Sequence, residues 1–87
     1  MEIKIHVQRS HMPLNQAQPV YYIRATMSIG TVYNTNRQNW DGVRQFVAGI
    51  AEEWNTTPRV FWCRPDEELA QELHTDEDWV FAILSDS

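Results

Sequence analysis

Asn39 to Asn55 reads NWDGVRQFVAGIAEEWN, and the spacing of its apolar residues decides the fold class. Trp40, Val43, Val47, Ile50 and Trp54 recur at +3, +7, +10 and +14. That is one stripe of a 3.6-residue period, so the segment reads as a helix with a single apolar face. Asn39 suits an N-cap, Asp41 lies favourably against the dipole of the first turn, and Asn55 is a C-terminal stop. Gly42 and Gly49 cost roughly 1 kcal/mol each relative to alanine, so this helix needs a surface to pack on.

The flanking segments supply that surface. Residues 2–8 alternate, with Ile3, Ile5 and Val7 on one side of a strand. Arg9 to Pro19 is polar, contains two prolines and reads as a loop, longer than a usual hairpin connection and so a candidate binding loop. In Val20 to Met27 one strand face carries Tyr21, Ile23, Ala25 and Met27, and the other Val20, Tyr22, Arg24 and Thr26. Ser28-Ile29-Gly30 turns or bulges the chain into a short third strand, Thr31 to Asn34; one long bent strand is the alternative.

Beyond the helix, Arg59 to Arg64 reads as a strand, Glu67 to His74 as a short helix with Leu69, Ala70 and Leu73 inward, and residues 75–78 as a polar turn. Trp79 to Leu84 is apolar on both faces, which predicts a central closing strand. The expected order is β-β-β-α-β-α-β. It implies an α+β two-layer sandwich, a mixed, mainly antiparallel sheet of four to five strands with two helices on one face, formed by residues 1–87 as one domain.

Composition bounds the function. With 43% hydrophobic residues, among them four tryptophans, the chain can build a core without staples. Cys63 is the only cysteine, which excludes an internal disulfide or a cysteine-based zinc site and suits a reducing cytoplasm. The N-terminus lacks the pattern of a signal peptide, and no apolar run approaches a membrane span. Catalytic and nucleotide-binding motifs are absent, and His6, His11 and His74 stand at no ligand spacing. The calcium-loop pattern is missing too. The expectation is a protein that is not an enzyme and uses no cofactor or metal.

Charge is the unusual feature. Residues 1–64 carry seven Lys/Arg against four acids, while residues 65–87 carry eight acids and no Lys or Arg. The net charge of -5 argues against direct binding of nucleic acid or anionic membrane. Asp66, Glu67, Glu68, Glu72, Asp76, Glu77 and Asp78 place seven carboxylates in thirteen residues. They are either a solvated helix start and turn, or a surface whose charge spacing imitates phosphates for a basic partner. Trp62 likewise has two readings, as core or, with Arg59 and Arg64 beside it, as an aromatic on a wet sheet face. If helices cover one sheet face only, some of Tyr22, Val60, Trp62 and Val80 are left exposed for a partner.

In size, α+β order and the carboxylates from Asp66 to Asp78, the chain resembles the small acidic inhibitors that bacteriophages use against host defence, anti-CRISPR proteins and DNA mimics among them. The basic residues from Lys4 to Arg64 depart from a pure DNA mimic. The resemblance implies steric binding of a host nucleoprotein machine in the host cytoplasm, without a cofactor. The expected function is therefore a protein-binding inhibitor or adaptor of a partner with a basic nucleic-acid-binding surface, through the acidic residues with Trp62 and Tyr22. A homodimeric structural or assembly module, joined by an uncovered sheet face, is the alternative.

Overall fold

The computed structural model describes residues 2–9, 20–64 and 68–86. Its elements are β1 (Lys4–Arg9), β2 (Tyr21–Met27), β3 (Gly30–Arg37), α1 (Trp40–Trp54), β4 (Arg59–Cys63), β5 (Gln71–Glu72) and α2 (Asp76–Asp86). The strands form one mixed sheet in the order β3-β2-β1-β4-β5. β1 pairs parallel with β4, and every other neighbouring pair is antiparallel. The class is α+β, as the helix stripe and the strand alternation require. The expected binding loop, Arg9 to Pro19, falls for all but its first residue outside the described residues.

Alternation sorts the sheet into two unlike faces. Ile3, Ile5, Val7, Tyr21, Ile23, Ala25, Val60 and Trp62 point to one side, where Val43 and Ile50 of α1, Leu73, and Ala82 of α2 complete a buried cluster. Both helices therefore lie on that side. The β2–β3 hairpin turns at Ser28-Ile29, and Gly30 closes it with φ at +120°, a conformation a side chain would strain. Thr26 pairs with Thr31 but Ala25 with Tyr33, so Val32 is an extra residue in a bulge. The third strand runs on to Arg37, longer than its short sequence pattern indicates.

α1 follows its sequence closely. Asn39 Oδ1 accepts from Gly42 N at 2.8 Å, and Asn55 ends the helix in the left-handed region.

Two elements differ from expectation. The expected helix over 67–74 is absent from its described part, residues 68–74: Leu69 is 84% exposed, and Gln71–Glu72 is instead an edge strand on β4, with Leu73 N donating to Val60 O at 2.8 Å. So short a segment with one buried apolar side chain has too little packing to offset the cost of helix nucleation. Trp79 to Leu84 is helix, not strand. A run apolar on every side carries no periodicity, and the deciding signal lies just before it. Thr75 Oγ1 accepts from Asp78 N at 3.2 Å, while Asp78 Oδ2 accepts from Thr75 N at 3.2 Å and His74 N at 2.9 Å. This is a reciprocal capping box, reinforced by Asp76, Glu77 and Asp78 in the first turn.

Candidate interaction surfaces

The far end of α2 is held by a buried carboxylate. Asp86 Oδ2 accepts from Tyr21 Oη at 2.6 Å and from Trp40 Nε1 at 3.1 Å, and Arg9 Nη1 lies 3.1 Å from Oδ1. An acidic group in the last turn of a helix opposes the dipole, so its place depends on these three partners. Burial, and then the bond to Asp86, push the Tyr21 hydroxyl well above its ordinary range. Trp79 packs edge-on to Trp40 with ring centroids 6.1 Å apart, which joins the helices over the core.

With both ends fixed, Ala82 buried and Trp79 and Ile83 half-buried, one side of α2 faces outward. Val80 is 50% exposed, Phe81 62% and Leu84 69%. Positions 76, 80 and 84 form one row on a helix surface and 77 and 81 the next, so Asp76 and Glu77 continue the same patch. The sequence reading missed Phe81 and Leu84, and it placed Val80 on a strand. The capping box was the available signal: it turns the apolar run into a helix, which can bury only one side.

Among the described acidic residues, some are taken up by structure and others are exposed. Asp66 and Glu67 lie outside the described residues. Glu68 is exposed ahead of β5. The Glu72 side chain is only 15% exposed and is bonded by Arg59 Nε at 3.1 Å, with His74 Nε2 2.6 Å from its other oxygen. The hydrogen bond from Arg59 holds the Glu72 carboxyl below its usual range. Asp78 is occupied by the capping box. Asp76 and Glu77 remain as exposed carboxylates beside apolar side chains.

Trp62 is not on a wet face. It is 1% exposed, with its ring 4.9 Å from that of Trp40 and 6.2 Å from that of Tyr21. Flanking arginines misled because neighbours on a strand face opposite ways: Arg59 points out with Phe61 and Cys63, and Val60 points in with Trp62. Val60 is buried as well.

Tyr22 is 52% exposed on the outer sheet face. Strand register places Asn34, Arg24, His6, Phe61 and Glu72 in one row across that face, with Asn36, Tyr22, Gln8 and Cys63 in the next. Lys4, Arg24 and Arg59 stand there against Glu2 and Glu72, with Glu2 3.9 Å from Lys4 and 3.2 Å from Arg59. The helices carry seven acids (Asp41, Glu52, Glu53, Asp76, Glu77, Asp78 and Asp86) and one arginine, Arg44. Polarity thus runs through the sandwich, from basic sheet to acidic helices. The outer sheet face is mainly polar and charged, with Tyr22 exposed among those side chains.

No family model, curated protein or solved structure matches the chain. Among the described residues, no group of three or more His, Cys, Asp or Glu is placed to hold a metal ion. Nor is any helix among them long and apolar enough to cross a membrane.

Proposed function

We propose that this chain is a non-catalytic binding protein, an inhibitor or adaptor that docks through α2 on the basic surface of a nucleic-acid-handling protein. CRISPR effectors, which the small phage inhibitors block, belong to that class of partner. The observation that carries the reading is the placement of Val80, Phe81 and Leu84 in solvent directly beside Asp76 and Glu77. A large exposed apolar group rimmed by charge marks a protein contact. The carboxylates select a basic partner and steer its approach, and the aromatic ring supplies desolvated contact area.

Affinity capture from nuclease-treated lysate tests this with wild type, Phe81→Ser and Glu77→Lys side by side. Wild type should retain basic nucleic-acid-binding proteins that elute as salt rises, because exposed charges are screened over ~8 Å at physiological ionic strength. Both variants should lose them. A retained set that neither substitution changes would overturn the reading.

A further inference from the structure

The outer face of the sheet has a composition of its own that the acidic helix does not explain. Tyr22 is 52% exposed and makes no ring contact among the described residues. One row over, His6 and Phe61 stack with centroids 5.3 Å apart and planes at 17°, and the Arg59 guanidinium lies 5.2 Å from the Phe61 centroid. Arg24 stands between Asn34 and His6 in the same row, with Lys4 at the adjacent level, its ammonium 3.9 Å from the exposed Glu2 carboxylate. Burial, then the charges of Arg24 and Lys4, lower the pKa of His6 from its usual value, which favours the neutral ring. A shallow depression bordered by His6, Gln8, Tyr22, Arg24 and Asn34 lies among these groups.

We propose that this face binds a short stretch of single-stranded nucleic acid, with Tyr22 as the stacking platform and Arg24 and Lys4 on the phosphates. Unstacked bases offer flat π-faces to an aromatic ring, worth ~1–3 kcal/mol per base, and the Asn34 amide can reach a base edge. Duplex bases are already stacked and cannot use Tyr22. An acidic protein surface would satisfy the cations but leave the flat rings without matching partners. The net charge of -5 does not forbid the site: seven acids lie on the helical layer, and on this face Lys4, Arg24 and Arg59 outnumber Glu2 and Glu72. A helix is ~10–12 Å across, so its outer carboxylates are beyond the ~8 Å Debye length at physiological salt. The inference does not rest on the α2 docking surface; with it, the chain would be an adaptor with a protein face and a nucleic-acid face.

Fluorescence anisotropy with a short labelled oligodeoxythymidylate tests it, beside the matching duplex and a polyglutamate peptide. The single strand should bind at about 50 mM salt and weaken as salt rises. Tyr22→Ala should weaken it about 5- to 150-fold, the loss of one stacked base. Arg24→Glu should weaken it too and reduce the salt slope by about one ion. Both residues are exposed, so unchanged thermal melts should accompany these losses, and Phe81→Ser should leave the affinity intact. No binding of the single strand, equal binding by Tyr22→Ala, or preference for duplex or polyglutamate would each overturn the proposal.

Discussion

α1 and α2 lie on the same side of one sheet and are held there by different means. α1 buries Val43 and Ile50 completely or nearly so, and packs Trp40, Phe46, Val47 and Trp54 around them. α2 has an apolar run as dense, yet only Ala82 among its residues is fully buried. Its attachment comes from its ends, the Thr75–Asp78 capping box and the Asp86 cluster, with Trp79 as a half-buried wedge. A helix held by its ends leaves Val80, Phe81 and Leu84 exposed to solvent.

The most drastic way to break the comparison is to put a charge in the stripe of α1. Ile50→Asp should unfold the domain, since an unpaired buried carboxylate costs several kcal/mol against a total of ~5–15. Loss of the cooperative melt by circular dichroism is the expected result. The same change at Val80, half in solvent, should leave a cooperative transition.

The polar anchor comes next. Asp86→Ala removes the acceptors for Tyr21 and Trp40 and the ion pair of Arg9, which keeps only its bond to the residue-86 carbonyl, at a cost on the order of 2–3 kcal/mol. Chemical denaturation should show it, and hydrogen exchange should rise in α2 before α1. Equal exchange in both helices would mean that they are released together. Thr75→Ala tests the other end: loss of the cap should cost about 1 kcal/mol, with faster exchange in the first turn of α2.

The contrast also explains what was legible in the sequence. α1 was readable because one apolar face, two polar caps and a 3.6-residue period agree. The strands before it were readable because Ile3, Ile5 and Val7 alternate with polar residues that remain on the surface side. α2 was misread because Trp79 to Leu84 has no polar side to reveal a period. The acidic surface was only partly legible for a related reason. A run of carboxylates does not show which are taken up by structure, as Glu72 is by Arg59 and Asp78 by the cap. The basic sheet face needed the strand register, because Lys4, Arg24 and Arg59 meet only across chain-distant strands.

The smallest expected effect on folding is the one that sharpens the comparison most. Phe81 is 62% exposed, so most of its ring area gains nothing from the core. Fully burying such a side chain is worth ~1.5–3 kcal/mol, and only the covered fraction is lost on truncation. Phenylalanine and serine have similar helix propensities, so the backbone adds little either way. Phe81→Ser should therefore shift stability by no more than about 0.5–1 kcal/mol in a denaturant titration. A loss of 2 kcal/mol or more, as in ordinary core truncations, would show that the outer side of α2 belongs to the fold after all. A near-silent melt together with loss of partner capture would separate what holds α2 in place from what α2 presents. The first is then the work of Thr75, Asp78, Trp79 and Asp86, and the second of Val80, Phe81 and Leu84.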